Sequence, residues 1–200
     1  STSTEAIKKT LVGVSGDIGS FSEKAGLWWI AENASSIENG EVLHLTEIKN
    51  VLREIERGTI AYGIFPYYNN TIGAIDPALE AMSMYNFKIV TKFPLLVEHC
   101  LLARQGVARD QITRICSQQP AIDQCERRLH RHWKHVDIDP YEDTAKAARD
   151  LASGVLKDCE TTAVIASFAA SQSFGLGVIE RPFQDDRENV TYFAVVQQRR

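Results

Sequence analysis

The sequence contains few of the features that assign a protein to a class at once. Its four cysteines form no CxxC pair, and three of them lie in apolar segments, which is typical of reduced thiols in a core. No apolar run approaches the ~20 residues that a membrane span needs, and the polar start STSTEAIKKT has no signal-peptide core. We therefore expect a cytoplasmic protein with no membrane partner.

An excess of positive charge is also missing. The net charge of −4 at pH 7 and the isoelectric point near 5.8 provide no basic field for a polyanion, so we expect no nucleic-acid partner. The chain has no internal repeat and no low-complexity linker. Its 200 residues, 44% hydrophobic and 24% charged, are instead typical of a globular protein. They suffice for one domain or two closely joined lobes.

Short β-branched runs alternate with segments of helical periodicity, which predicts an α/β fold with mainly parallel strands. The run TLVGV (10–14) is the first strand, and Ser20 with Glu23 three residues later forms a capping box for a helix. A strand at 60–65 continues into PYYNNTIG (66–73), whose turn-forming residues predict a polar loop. In open α/β sheets, ligands bind where such loops leave the carboxyl ends of strands.

The same alternation continues along the chain. The other predicted elements are a strand at 42–45, a helix at 47–57, strands near 87–92 and 97–103, helices at 120–133 and 143–152, a strand at 161–166, a helix to 174, a strand at 176–180, a surface turn at 183–189 and a strand at 190–197. Polar segments fall at the strand-to-helix junctions 15–22, 67–70, 116–121 and 143–145. Because helix N-termini suit carboxylates, these junctions together with Thr191 predict a cleft for a small anion.

Seven blocks of sequence, taken in order, resemble a known family. They are GSFSEKA (19–25), PYYNNTIG (66–73), EHCLL (98–102), SQQPAIDQC (117–125), DTAKAA (143–148), AVIASFAASQSFGL (163–176) and NVTYF (189–193). Their order and spacing are similar to the catalytic domain of prephenate dehydratase, over about residues 11–196. The resemblance implies a single domain of two α/β lobes, of the type II periplasmic-binding-protein fold, with the site in the cleft between them. We expect lobe one at about 1–94 plus 178–200 and lobe two at about 95–177.

Members of that family convert prephenate into phenylpyruvate by removing the ring carboxylate as carbon dioxide and the ring hydroxyl as water, without a cofactor. The resemblance implies that Thr191 is the catalytic donor to the departing hydroxyl, since hydroxide is a poor leaving group unless protonated. The substrate-binding residues that it implies are Ser20, Ser117 and Thr144 for carboxylates, Asn69 and Asn70 for the ring, and Ala121, Asp143, Tyr192 and Phe193. We expect no metal and no cofactor. A homodimer is expected by resemblance only.

The chain departs from the family's pattern at several of these positions. Tyr192 replaces the arginine that follows the threonine, so a bidentate carboxylate anchor is lost. Tyr68 and Asn70 stand where the family has glutamate and serine, and Gln118 replaces a histidine. Asp143 replaces a serine. If it faces the ligand, it repels a dianion or attracts the ammonium group of an amino-acid analogue, and otherwise it caps its helix.

Three functions therefore stay open. We expect no regulatory phenylalanine-binding ACT domain, because the sequence stops at Arg200, shortly after the last predicted strand. Relatives without that domain and without the arginine include non-aromatising prephenate decarboxylases, which keep the ring hydroxyl. The alternatives are a prephenate dehydratase, such a decarboxylase, or a small-carboxylate binding protein that has lost catalysis.

Each of these residues also has an ordinary structural explanation. Threonine suits a strand, asparagine suits a turn, and Ser20 caps a helix. His99 lies in an apolar run, where a hydrogen-bonded core histidine is the commoner case. The histidines of HRHWKH (130–135) match no metal-site spacing, so we predict a solvated basic helix end there instead of a metal site.

Overall fold

The computed structural model describes residues 7–200, which are divided between two β-sheets. The strands are β1 (Thr10–Val14), β2 (Gly40–His44), β3 (Tyr62–Asn69), β4 (Gly73–Ala74), β5 (Lys88–Leu96), β6 (Cys100–Ala103), β7 (Arg114–Ser117), β8 (Asp137–Pro140), β9 (Thr162–Ala166), β10 (Gly177–Glu180) and β11 (Val190–Gln197). The α-helices are α1 (Phe21–Glu32), α2 (Ile48–Arg57), α3 (Asp76–Met84), α4 (Gln119–Gln124), α5 (Glu126–His132), α6 (Thr144–Ser153) and α7 (Phe168–Phe174). None of these described helices is long and apolar enough to cross a membrane.

The first sheet has the strand order β2-β1-β3-β11-β5, and the short β4 pairs with β3. The helix α1 packs on one face of this sheet through Ala25 and Trp29. The helices α2 and α3 pack on the other face. The buried residues of α2 recur at helical spacing, as the sequence predicts: Ile48, Val51, Leu52 and Ile55. Each face of the sheet therefore has its own hydrophobic layer.

The second sheet has the order β10-β6-β9-β7-β8. Its central strand β9 is buried along its whole length, which suits a strand covered on both faces. The helices α4 and α5 cover one face of the sheet and α6 and α7 cover the other. This lobe thus repeats the layered construction of the first lobe.

The chain passes between the sheets twice, from β5 to β6 and from β10 to β11. These two crossover segments bond to each other: the Val97 N–H donates to the Asn189 carbonyl at 2.7 Å and the Phe183 N–H donates to the His99 carbonyl at 2.8 Å. The Gln184 side chain also accepts from the His99 N–H at 2.8 Å. Two short adjacent connections between lobes are the usual arrangement of a hinge.

The prediction of mainly parallel strands is corrected by the structure, because both sheets are mixed. β1 is parallel to β2 and β3, and β7 is parallel to β8 and β9. However, β11 is antiparallel to both of its neighbours, and so is β6. Both strands enter their sheet from a crossover segment, at the edge that faces the other lobe. They therefore run away from that edge, whereas the parallel strands run toward it.

The predicted polar loop at 66–73 is also corrected. β3 continues through this segment to Asn69, because β11 pairs with it along its length. Pro66 lies beside a register shift between Tyr192 and Phe193, where a missing N–H is tolerated. Long-range strand pairing has overridden local turn propensity here.

The predicted helix at 120–133 is divided into α4 and α5 by Cys125, whose φ of −113° and ψ of 9° are not helical. The carboxylate of Asp185 explains the break. It accepts from the backbone N–H groups of Arg127 and Arg128 at 2.8 and 2.9 Å, so it caps the start of the second helix. The cap comes from a crossover segment that is distant in sequence.

The expected lobe boundaries shift by a few residues. β5 stays in the first sheet to Leu96, and β10 pairs with β6 in the second sheet as far as Glu180. The sequence pattern also did not predict α3, β7 or β8. β7 and β8 have only four residues each and carry charged side chains, so their periodicity is too short to identify.

Candidate active site

Thr191 and Asn69 form the centre of the candidate site. They lie opposite each other where β11 pairs with β3, so their side chains share one face of the sheet. Asn69 Nδ2 donates to Thr191 Oγ1 over 2.9 Å, and both side chains are buried. The threonine oxygen therefore accepts a hydrogen bond, and its own hydrogen is available to another acceptor.

Asn69 is held by four further hydrogen bonds. Its Oδ1 accepts from the backbone N–H groups of Thr71 and Ile72 at 2.9 and 3.1 Å, and from Gln124 Nε2 at 3.5 Å. Its Nδ2 donates a second hydrogen to Asn189 Oδ1 at 2.8 Å. All of its polar atoms are thus satisfied, which gives the amide a single orientation.

The hydrogen-bond network extends from Asn69 into the second lobe. Asn189 Nδ2 donates to Gln124 Oε1 at 2.9 Å, and the same oxygen contacts His99 Nε2. All four of these side chains are buried. Burial lowers the pKa of His99 to about 4, so its imidazole is neutral at pH 7. Since Gln124 belongs to α4, a polar network joins the two lobes beside the crossover segments.

The start of α1 lies at the same edge of the first sheet. Ser20 Oγ accepts from the Glu23 N–H at 3.1 Å, and the Glu23 carboxylate accepts from the Gly19 N–H at 3.1 Å. The predicted helix start is confirmed, with Gly19 as the reciprocal donor. Ser20 keeps its hydroxyl hydrogen, so it remains a potential donor to a carboxylate.

The second lobe presents three of the predicted residues at its facing edge. Ser117 ends β7 and donates to the Ile165 carbonyl at 2.7 Å. Asp143 accepts from the Lys146 N–H at 2.8 Å and caps α6, and Thr144 is the first residue of that helix and is buried. The helix-cap explanation of Asp143 is therefore confirmed. Ala121 packs in the hydrophobic core beneath α4.

Direct contacts show that these two edges face each other. Ser167, the N-cap of α7, donates to the Gly19 carbonyl at 2.6 Å. Arg149 of α6 bonds to Asp17 in the loop after β1 at 3.0 Å. The carboxyl edges of the parallel strands in both lobes therefore meet, and the candidate site lies between them.

Replacement of Gly19 by alanine is expected to strain this interlobe contact. Gly19 has a φ of +84°, and an added Cβ would lie 3.1 Å from the Ala170 Cα of α7. The left-handed backbone costs about 1–2 kcal/mol in a residue with a Cβ, and the close approach adds overpacking of about 1–3 kcal/mol. Urea unfolding of the Gly19→Ala variant measures the sum.

Gly106→Ala is the matched control for Gly19→Ala. Its φ of +86° imposes the same backbone cost, but an added Cβ would have no atom within 4 Å. The difference in unfolding free energy between the two variants therefore isolates the contact between lobes. Equal losses in both variants would contradict a close approach at Gly19.

Two of the predicted residues make their contacts outside this cluster. The Asn70 side chain donates to the Glu188 carbonyl at 2.6 Å and accepts from the Val190 N–H at 2.8 Å, so it joins the ends of β3 and β11. Phe193 is buried in the core below α1 and stacks on Phe93 with 5.8 Å between ring centroids. In this structure both residues support strands of the first sheet.

Tyr192 lies on the other face of β11. Side chains alternate along a strand, so the residue after Thr191 points away from it. The Tyr192 ring lies 6.0 Å from the ring of Tyr68 and 6.5 Å from that of Tyr67. An aromatic cluster on the far face thus occupies the position of the family's arginine.

Sequence reasoning missed Asn189 as a site residue. The hydrophilic segment 183–189 predicts a surface turn, whereas Asn189 is fully buried and bonds to Asn69 and Gln124. One signal was present: a residue two positions before Thr191 shares its face by strand alternation. His99 was expected to be a hydrogen-bonded core histidine, and its bond to Gln124 agrees with that expectation.

No group of three or more His, Cys, Asp or Glu side chains within residues 7–200 is arranged to hold a metal ion. The polar groups at the site are instead hydroxyls, carboxamides and helix starts. Such groups bind small anions through hydrogen bonds and helix dipoles.

Two lobes joined by two crossovers, with polar side chains at their facing edges, define a class of proteins that bind small molecules between α/β lobes. Within that class, the chain belongs to the prephenate dehydratase family, whose sequence pattern matches residues 12–200. The family that the sequence blocks indicated is thereby confirmed.

Individual proteins agree with this assignment. Arogenate dehydratase/prephenate dehydratase 6 of Arabidopsis thaliana is 30% identical over 185 residues, which are 92% of this chain and 42% of that protein. The structure of prephenate dehydratase from Arthrobacter aurescens, in complex with L-Phe, superposes with a TM-score of 0.81 at 23% identity, covering 96% of this chain and 61% of that one.

A periplasmic substrate-binding protein of an ABC transporter from Coxiella burnetii superposes with a TM-score of 0.51 at 12% identity, covering 92% of this chain and 84% of that one. The predicted two-lobed fold is thus confirmed. The chain spans less than half the length of the curated relatives that it matches.

Proposed function

We propose that this chain is the catalytic part of a dehydratase that acts on prephenate or on its amino-acid counterpart, arogenate. The hydrogen bond from Asn69 to Thr191 carries the proposal. Because the threonine oxygen accepts from Asn69, its hydrogen is free to donate to a ligand between the lobes. Related proteins named for dehydration of arogenate and prephenate support this choice.

The reaction needs a donor at the hydroxyl that departs. The bond between the ring and its carboxylate breaks, and the electron pair moves into the ring as carbon dioxide leaves. The C–O bond breaks at the same time. The departing oxygen takes the hydroxyl proton of Thr191 and leaves as water, and the threonine oxygen regains a proton from solvent. A hydrogen bond from Thr191 stabilises the negative charge that develops on this oxygen. Formation of the aromatic ring drives the reaction.

Uncharged groups are proposed to anchor the substrate's carboxylates. The start of α1, capped by the uncharged Ser20, offers the positive end of a helix dipole. Arg149 bonds to Asp17, so its charge is already balanced. Asp143 Oδ1 caps α6, and its Oδ2 is proposed to accept from the ammonium group of arogenate, which a negative charge attracts. Arogenate is therefore included as a substrate beside prephenate.

The position of Tyr192 favours dehydration over decarboxylation with retention of the hydroxyl. Thr191 and Tyr192 lie on opposite faces of β11. The replacement of the family's arginine by tyrosine thus leaves the bond between Asn69 and Thr191 in place. A proton donor for the ring hydroxyl is retained on the side where the two lobes meet.

Incubation of the protein with prephenate, and separately with arogenate, tests this proposal. We expect phenylpyruvate from prephenate or phenylalanine from arogenate, followed by ultraviolet absorbance and mass spectrometry. A product lighter by carbon dioxide alone would identify a decarboxylase. Binding of both compounds without turnover would identify a binding protein, and either result would contradict the proposed dehydratase.

The assembly and the cellular location stay predictions. A homodimer is proposed because members of the family commonly form dimers, and sedimentation at several protein concentrations tests it. The cytoplasmic location is proposed from the cysteine usage.

A further inference from the structure

A buried chain of polar groups runs from Thr191 through Asn69, Asn189 and Gln124 to His99. We propose that Asn189 is a positioning residue: by accepting from Asn69 it keeps that amide donating to Thr191, and His99 ends the chain as the Nε2–H tautomer. The effect on turnover rests on the proposed function. The hydrogen-bond directions stand without it.

The directions begin at Asn69 Oδ1. This atom accepts from the backbone N–H groups of Thr71 and Ile72, which can only donate. Both hydrogens of Asn69 Nδ2 must then point to Thr191 and Asn189. If the amide turned over, its oxygen would face Thr191 and would take the hydroxyl hydrogen. The threonine would no longer donate to a substrate.

The hydrogen-bond directions of Asn189, Gln124 and His99 follow from those of Asn69. Asn189 uses its oxygen for Asn69, so its Nδ2 faces Gln124 Oε1. A carbonyl oxygen only accepts, and therefore His99 Nε2 must carry the hydrogen that it shares with Gln124. His99 Nδ1 is then the bare nitrogen. Within residues 7–200 this buried atom has no hydrogen-bond partner.

Within residues 7–200, Asn189 Oδ1 and Thr191 Oγ1 are the two acceptors bonded to Asn69 Nδ2. Asn189 is fully buried on the crossover into β11, between Asn69 of the first lobe and Gln124 of the second. Without its oxygen, one hydrogen of the buried Asn69 Nδ2 loses its acceptor. A buried unpaired donor is unfavourable. The backbone N–H groups of Thr71 and Ile72 still hold Oδ1, so the amide does not turn over but shifts, and its hydrogen bond to Thr191 loses alignment. Turnover then falls while the start of α1, which is proposed to anchor the substrate, stays in place.

Kinetics of two Asn189 variants test this role. Asn189→Leu removes the acceptor, and we expect kcat to fall about tenfold to a hundredfold while KM stays within about threefold. In Asn189→Asp the carboxyl group is fully buried beside the Gln124 oxygen, which favours its protonated form. That form accepts from Asn69 and donates to Gln124, so the variant is expected to lose clearly less kcat than Asn189→Leu. Equal losses in the two variants would overturn the proposal.

Gln184→Leu is the matched control. Gln184 is a buried amide on the same crossover, but its side chain bonds to backbone only, at His99 and Val97. We expect a melting temperature lowered as in Asn189→Leu, with kcat kept within about threefold. A loss of kcat as large as that of Asn189→Leu would mean that Asn189 acts through general stability.

The tautomer of His99 gives a test that needs neither a variant nor a substrate. Nitrogen NMR of the wild-type protein with 15N-labelled histidine at pH 7 is expected to show the neutral Nε2–H form. The Nδ1–H form would overturn the assigned directions. A wild-type protein that turns over neither prephenate nor arogenate would contradict the proposed function but not the assigned hydrogen-bond directions. The NMR measurement tests those directions without a substrate.

Discussion

Replacement of Thr191 by valine is expected to lower kcat by about 10² to 10⁴, the range that a positioned proton donor contributes. Valine has nearly the shape of threonine and suits a strand, so β11 keeps its pairing with β3 and β5. The change therefore removes the hydroxyl and little else. Steady-state kinetics with prephenate and with arogenate measure the loss.

Thr191→Ser is the control for the loss of the hydroxyl. It keeps the oxygen that accepts from Asn69 at 2.9 Å and the hydrogen that it donates, so most of kcat is expected to remain. Thr191→Val also leaves one hydrogen of Asn69 Nδ2 unpaired, which costs about 1–3 kcal/mol of unfolding free energy. Thermal unfolding separates this cost from the kinetic effect. Wild-type turnover in the valine variant would contradict the donor assignment.

Asn69→Asp is expected to lower kcat by about 10² or more, although Thr191 stays in place. A carboxylate only accepts hydrogen bonds. One of its oxygens keeps the backbone N–H groups of Thr71 and Ile72, and the other faces Thr191 and takes the hydroxyl hydrogen. The Thr191 hydroxyl then donates to the introduced carboxylate and no longer to the substrate. The added negative charge also opposes an anionic substrate, so KM is expected to rise.

Asn33→Asp makes the same chemical change away from the site. Asn33 is the C-cap of α1, and its Nδ2 donates to the Trp29 carbonyl at 2.8 Å, so the substitution also exchanges a donor for a carboxylate. We expect it to keep wild-type kcat. Adding Asn69→Asp to Thr191→Val is expected to lower kcat little further, since both changes remove the same hydrogen bond from Thr191 to the substrate. Independent losses in the double variant would contradict a shared role.

Short-range features of this protein were predictable from the sequence. The cap at Ser20, the buried face of α2 and the limits of β11 all follow from neighbours within about one or two helical turns or from strand alternation. The seven ordered blocks also identified the family, which the match to residues 12–200 bears out.

Features that depend on distant partners were not predictable in this way. The segment 66–73 has turn-forming residues, yet its first half belongs to β3 because it pairs with β11. The break in the predicted helix at 120–133 depends on Asp185, which returns from the crossover segment. In both cases a partner more than 50 residues away supplies hydrogen bonds that outweigh local propensity.

The features of the candidate site were likewise predictable only in part. The sequence predicted the residue types, the family and the strand that carries Thr191. Only the tertiary structure decided that Tyr192 packs with Tyr67 and Tyr68, that Asp143 and Ser117 are engaged by their own lobe, and that Asn189 links two lobes. The reason is that the direction of a hydrogen bond depends on every atom around it. Here those atoms come from strands and crossovers that meet only after the two lobes have folded together.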